Sequence, residues 1–296
     1  MTGCGGVGRG LTSPPRSIFC TTQFRVRAGH TAETVGYAHN GGTMTTAFSR
    51  SVSVVIPVRN DARLLEVCLR ALEHQTRIAD EIVIVDNGSS DDTVAVAEGF
   101  GARVVTEPVP GIPRASAAGY DAATSDIIAR LDADSRPGPD WVERIERTFR
   151  DRPDVDFVTG EPRFYGSTPL VHWMGTHLYI GGMYASMAPV LGHAPLYGSN
   201  MAMRASVWRV LSGEVHREAT NIHDDFDLSF HVRPEMTVLR DRGLVVEVSA
   251  RPFQDWASLR RRLSYVLPTV RLHLSPEPLH QRRRARREAD RSAAGR

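Results

Sequence analysis

The chain contains no lysine; all 36 of its basic residues are arginine. Catalysis through a lysine Schiff base, or through the phosphate-binding lysine of a Walker loop, is therefore excluded. Cysteine is scarce as well, with three in 296 residues and no CxxC pair. That leaves neither a disulfide framework nor a cysteine zinc site, and it fits a reducing, cytoplasmic compartment. Cys4 and Cys20 fall in the amino-terminal segment, while Cys68 sits among Leu64, Leu65, Leu69 and Leu72 on what should be a buried helix face. Nor is there a run long and uniformly apolar enough to span a bilayer. The nearest approach, residues 169 to 200, lacks Asp, Glu and Arg but is broken by glycine, proline and histidine. It reads as buried core, with an exposed apolar surface for a lipid-linked or amphipathic acceptor as the alternative.

A spread basic surface is also missing. The formal charge of +2 combines +3 in residues 1 to 43 and +5 in residues 279 to 296 with −6 in the body between them. No nucleic-acid footprint is expected. An acidic body points instead to a metal cation, and the arginines at 260 to 262 and 282 to 287 would suit peripheral contact with an anionic inner membrane face.

What the chain does have, at 41% apolar and 24% charged residues, is the composition of a globular protein. Residues 1 to 48 show no period and are expected to be a disordered extension, with Met44 a possible true start. A domain is expected over 49 to 278, followed by an Arg-rich tail over 279 to 296. Within the domain, β-branched runs alternate with amphipathic stretches: "SVSVVIPV" then "DARLLEVCLRALEHQ", "EIVIVDN" then "SDDTVAVAEGF", "ARVVTEP" then "PRASAAGYDAA", then "DIIARLDAD". Such alternation predicts an α/β fold with a Rossmann-like, mostly parallel central sheet and helices on both faces. Ligands of such sheets bind beyond the carboxyl ends of the strands. Polar clusters fall at those ends: Arg59, Asn60 and Asp61; Asp86 and Asn87; Asp132 and Asp134.

In "LDADS" the carboxylates of Asp132 and Asp134 flank the small Ala133. Both can reach one divalent cation, and Mg²⁺ or Mn²⁺ held by one or two carboxylates keeps positions open for substrate phosphates. Helix capping accounts for Asp91 or Asp92, and competes for Asp61. Arg114 can pair with a diphosphate or with a surface acid. His231 is either a packed histidine or an added metal ligand.

In order along the chain, "IPVRND", "VDNGSSDDT", "LDADS" and "DDFDL" resemble the motifs of the GT-A, family 2 type of inverting glycosyltransferases over about residues 52 to 250. The resemblance implies a metal-dependent enzyme that moves a sugar from a nucleotide-diphosphate donor to a hydroxyl acceptor, a glycan or a lipid-linked molecule. It implies that Asp86 binds the base, that Pro57 and Arg59 shape the first loop with Asp61 in support, and that Asp132 lies near the ribose and metal. Asp134 would coordinate the metal, and Asp225 would be the general base flanked by Asp224 and Asp227. Asp61 and Asp224 stand where the pattern usually has Glu, and Ala117 where it often has Asn. A nucleotidyltransferase and a non-catalytic sugar-nucleotide module are the alternatives.

Overall fold

The computed structural model describes residues 49–274, 284–286 and 288. The expectations for the extension, Met44 and most of the Arg-rich tail lie outside the described residues. The first half of the domain follows the predicted alternation: β1 (Val52–Val58), α1 (Ala62–Glu73), β2 (Glu81–Asp86), α2 (Thr93–Gly99), β3 (Arg103–Thr106), α3 (Ile112–Ala122) and β4 (Ile127–Arg130). β1, β2 and β4 are largely buried, mainly β-branched runs, as parallel strands covered on both faces must be, and β3 at the sheet edge is partly exposed. β4 ends at Arg130, four residues short of the stretch expected from "DIIARLDAD", because the acids beyond it turn out of the sheet.

The second half was less legible. It runs β5 (Arg136–Pro137), α4 (Trp141–Asp151), β6 (Phe157–Tyr165), α5 (Pro169–Met174), a π-helical turn (Gly175–Ile180), α6 (Gly181–Leu191), β7 (Met201–Arg204), α7 (Ala205–Leu211), α8 (Asp224–His231), β8 (Val238–Ser249), α9 (Arg251–Gln254) and α10 (Trp256–Leu274). The sheet order is β3-β2-β1-β4-β7-β6-β8-β5. From β3 to β4 every pairing is parallel; beyond β4 the sheet is mixed, with β7 antiparallel to both β4 and β6, β6 parallel to β8 and β5 antiparallel to β8.

Helices cover both faces. On one, Leu65, Cys68, Leu69 and Leu72 of α1 pack with Trp141, Ile145 and Phe149 of α4 against Val54 and Ile56. On the other, Ala115 and Tyr120 of α3 pack with Trp208 and Leu211 of α7 against Val55, Val83 and Val85. Cys68 is fully buried, and burial pushes its thiol well above the ordinary range.

The uncharged stretch is amphipathic rather than wholly buried core. Ile180, Tyr184, Met187 and Leu191 face inward, while Leu170, Trp173, Met174 and Leu178 are exposed. No helix among the described residues is long and apolar enough to cross a membrane.

α3 approaches the sheet at Gly119, where a Cβ would fall inside van der Waals distance of Val55 and Val85. Alanine improves helix propensity by about 1 kcal/mol, but overpacking typically costs about 1–3 kcal/mol. Gly119→Ala is therefore expected to lower stability in urea denaturation; an increase would show that α3 is not pressed against β1 and β2.

Candidate active site

The strand ends gather the acids, and a continuous set of contacts joins them. After β1 the chain turns through Asn60, whose φ of 52° is a left-handed conformation that asparagine tolerates. Its amide donates to Ser89 Oγ at 3.0 Å and its side-chain oxygen accepts from the Ser90 amide at 2.7 Å, tying the β1 loop to the β2 loop. Asp86 accepts the Ser89 amide at 3.0 Å through Oδ1, and Oδ2 makes no hydrogen bond to the described residues. Asn87 pins the β3–α3 loop by donating to the carbonyls of Glu107 and Val109 and accepting from the Gly111 amide.

Asp91 rather than Asp92 serves the helix starts. Its carboxylate accepts from the Thr93 amide of α2 and from the Ala62 amide of α1, at 3.1 Å each. Asp61 makes no capping bond; instead Arg251, entering α9 from the end of β8, binds it at 2.6 Å and reaches Asp134 at 3.4 Å. Pro57 is half-buried in β1, and Arg59 is exposed with no polar partner among the described residues. Arg114 ion-pairs with Glu218, the surface-acid alternative, and is not joined to this network.

Past β4, Asp132 is held between Arg130 at 3.2 Å and the Ser199 hydroxyl, which donates to its second oxygen. Arg130 is 4% exposed and also binds Asp224 at 2.6 Å, so one buried guanidinium joins the β4 turn to the start of α8. Burial works against its charge, but Asp224, Tyr120 and Asp132 hold the proton more firmly than usual. Ser116 of α3 donates to Asp224 at 2.7 Å.

β7 explains why these parts meet. Its antiparallel pairing with β4 sets Met201 opposite Arg130, so the residues preceding β7 lie beside those following β4. In that stretch the Gly198 amide donates to Asp225 at 3.0 Å, Ser199 binds Asp132, and Asn200 accepts from Trp141 Nε1 at 2.9 Å. A side chain at position 198 would collide with the Arg130 guanidinium. Arg130, Arg251, Gly198 and Ser199 were all missed from sequence. The signals available were a charged residue closing an apolar strand, and "YGSN" opening an unrecognised one.

The acids differ in their electrostatics. Asp134 is pushed up to about 6, by burial first and then by the charge of Asp132, against the opposing pull of Arg251. Asp225 is also raised, by burial and then by Asp224, with His223, Arg130 and the Gly198 amide opposing. Asp227 points elsewhere, accepting from His216 and His273 at 2.7 and 2.8 Å. The Asp132–Asp134 pair fits a divalent metal: two hard oxygen donors one residue apart, one of them destabilised by the other's charge.

A nucleotide-type parallel half-sheet, continued by a mixed half and carrying acids beyond its strand ends, defines a GT-A-like α/β protein. The family model of glycosyl transferase family 2 matches residues 53–211, more than half of the chain, and the protein belongs to that family. An uncharacterised glycosyltransferase of Mycobacterium bovis is 36% identical over 127 residues, 42% of this chain and 52% of its own length. Glycosyltransferase AglE of Haloferax volcanii is 34% identical over 121 residues, 38% of this chain and 40% of its own. The chain thus spans about half the length, or less, of these curated relatives. Among solved structures, glucosyl-3-phosphoglycerate synthase from Mycobacterium tuberculosis, in complex with Mn²⁺, UDP-glucose and phosphoglyceric acid, aligns with a TM-score of 0.57 at 19% identity. That alignment covers 82% of this chain and 88% of the synthase. The synthase with Mn²⁺, UDP and phosphoglyceric acid gives 0.55 at 19%, over 77% and 80%.

Asp134 carries a consequence for stability. Its folded pKa of about 6 lies above the unfolded value of about 3.9, so the folded state binds more protons and stability falls as pH rises from about 4 to 6. Asp134→Asn removes that penalty, while losing only a long, half-exposed contact to Arg251. In EDTA the variant is expected to be more stable than wild type by about 1–3 kcal/mol at pH 7.5, with the gain vanishing at pH 4. No gain at pH 7.5 would mean that Asp134 is not under this strain.

Proposed function

We propose that the chain transfers a sugar from a nucleotide-diphosphate donor to a hydroxyl acceptor with inversion at the anomeric carbon. The observation that carries this reading is the adjacency of Gly198 and Ser199: the Gly198 amide binds Asp225 and the Ser199 hydroxyl binds Asp132, so neighbouring residues link the proposed base to the proposed donor site. Family 2 membership favours sugar transfer over a nucleotidyltransferase or a non-catalytic module, and the Mn²⁺ and UDP of the neighbouring synthase structures support a divalent metal and a nucleotide-sugar donor.

In this mechanism Asp86 offers its unengaged oxygen to the base, with Pro57 and Arg59 shaping the nucleoside loop. Asp132 and Asp134 would hold Mg²⁺ or Mn²⁺, which when bound offsets the diphosphate charge and stabilises the leaving group. Asp225 takes the acceptor proton as the acceptor oxygen attacks the face opposite the departing diphosphate. Its raised pKa makes it a stronger base than an exposed aspartate. Asp224 is ion-paired with Arg130 and accepts a hydrogen bond from Ser116, and cannot substitute without breaking a buried ion pair.

Asp225→Asn is expected to lower transfer by about 10²-fold or more, the scale of a lost general base, with donor dissociation constant near wild type. Asp134→Asn should instead lose Mn²⁺-dependent donor binding. Wild-type turnover in Asp225→Asn would move the base elsewhere.

The acceptor is proposed to be lipid-linked and the contact peripheral to the membrane. Exposed Leu170, Trp173, Met174 and Leu178 lie on the α5–π segment, and exposed Trp256, Leu263 and Leu267 lie on α10 beside Arg260, Arg261 and Arg262. Met183 and Val190 of α6 and Val266 and Val270 of α10 pack against one buried cluster formed by Met187, Leu191, Phe226 and Phe230. Sedimentation with anionic liposomes at low salt, released at high salt, is the expected outcome. No binding at low salt would favour a small soluble acceptor such as the neighbouring synthases hold.

A further inference from the structure

Behind α8, on side chains unused in the proposed reaction, His216, Asp227, His231 and His273 bring one ligand atom each within 4.8 Å of one another. The three rings come from separate parts of the chain. His216 lies in the segment after α7, His231 closes α8 one helical turn beyond Asp227, and His273 is in the last turn of α10. Their ring centroids are 5.0 to 5.4 Å apart, and His273 is stacked on Phe230 at 4.4 Å, which fixes its plane.

All three converge on one carboxylate oxygen. Asp227 Oδ1 accepts from His216 Nδ1 at 2.7 Å and from His273 Nε2 at 2.8 Å, and His231 Nε2 lies 3.8 Å from it, beyond hydrogen-bond distance. Asp227 Oδ2 accepts the His216 backbone amide at 2.8 Å. His231 Nε2 is buried and has no hydrogen-bond partner among the described residues. A buried polar atom left unpaired costs about 1–3 kcal/mol, and the group that would relieve it must also accept lone pairs from two further imidazoles and a carboxylate.

We infer that these four side chains form a second, structural metal site, of the tetrahedral His₃Asp kind that takes Zn²⁺. Zinc bonds to imidazole nitrogen at about 2.0–2.1 Å and to carboxylate oxygen at about 2.0–2.2 Å, so its tetrahedral ligands stand about 3.4 Å apart. The separations of 2.7, 2.8 and 3.8 Å measured from Asp227 Oδ1 bracket that value. Mg²⁺ and Mn²⁺ prefer oxygen donors, so a nitrogen-rich set discriminates against the ions expected at Asp132 and Asp134.

The charge state suits a cation. Burial pushes the His273 ring down in pKa against the pull of Asp227, and the neighbouring rings of His231 and His216 depress it further. Burial also works against the charge of Asp227, yet His231, His273 and His216 more than offset it and hold the carboxyl well below its usual range. An ionised carboxylate is the form a zinc ion binds, and the ion would take the three rings as neutral donors. On binding, His216 and His273 each carry their proton on the other ring nitrogen, and His231 Nδ1 faces Glu214 at 3.7 Å, an outer carboxylate that would orient the ring.

The site clamps the end of α10 and the α7–α8 connection onto α8, the helix that also presents Asp225. It does not depend on the glycosyl-transfer reading, and its test is separate. The full chain, freed of any affinity tag and dialysed without chelator, is expected to retain about one zinc per chain by elemental analysis. Removal by a strong chelator should lower Tm, zinc should restore it, and Co²⁺ should give the visible bands of a tetrahedral ion. His231→Gln and His273→Gln should each weaken Zn²⁺ binding by at least about 10²-fold, since even outer-shell changes cost 10–100-fold, whereas Asp134→Asn should leave it unchanged. Absence of retained zinc together with no tetrahedral Co²⁺ spectrum in the wild-type chain would overturn the inference, as would undiminished zinc in the His231→Gln/His273→Gln double variant. Loss of donor binding in Asp134→Asn with zinc retained would separate the two sites.

Discussion

A guanidinium buried at the end of β4 organises the centre of this protein. Arg130 is taken almost wholly out of water, a position sustainable only with opposite charge on both sides. Asp132 supplies one side and Asp224 the other, and they come from segments more than ninety residues apart. Removing either acid would leave a buried charge partly uncompensated, a change that typically costs about 3–5 kcal/mol. The same guanidinium lies so close to position 198 that a side chain there would displace it, and the amide of that glycine binds Asp225. Thus the residue that pairs with two acids also lies against the peptide whose amide holds a third.

α8 shows how one short helix can give three aspartates three environments. Asp224 faces Arg130 and Ser116, Asp225 faces the Gly198 amide, and Asp227 faces the histidines. All three stand in the first turn, where the helix dipole favours negative charge. What separates them is the local company: Asp225 is raised by burial and by Asp224, whereas Asp227 is held low despite burial. Divergent pKa values on neighbouring carboxylates are the arrangement from which acid, base and structural roles are divided.

The long uncharged stretch illustrates a different balance. Its lack of charge suggested burial, but a helix needs only one apolar face to dock, and here Tyr184, Met187 and Leu191 provide it. The preceding α5 and π-helical turn keep Leu170, Trp173 and Leu178 in solvent, an unusual exposure for such side chains. Pro169 stands in the first turn of α5 and Pro189 lies inside α6, while a π-helical turn joins the two helices and Gly192, at φ 80°, ends the second.

Local pattern determined the parallel half of the sheet, because buried parallel strands are continuous β-branched runs and their covering helices repeat with a helical period: β1, α1, β2, α2, β3 and α3 were all readable in this way. It also located acids at or just past strand ends, where a ligand or a partner charge can reach them: Asp86 closes β2, and Asp132 and Asp134 follow β4. β7 escaped notice because "MAMR" is short and lacks β-branched residues, and its place between β4 and β6 is set by partners far away in sequence. With β7 unseen, the meeting of Ser199 with Asp132 and of Gly198 with Asp225 could not be read. The pairing of Arg251 with Asp61 and Asp134, and of Arg114 with Glu218, was equally out of reach, because an arginine's partner depends on which surfaces the fold brings within a side chain's length. The same holds for His216, His231 and His273, whose spacing matches no local motif: only the packing of α10 on α8 brings them around one carboxylate.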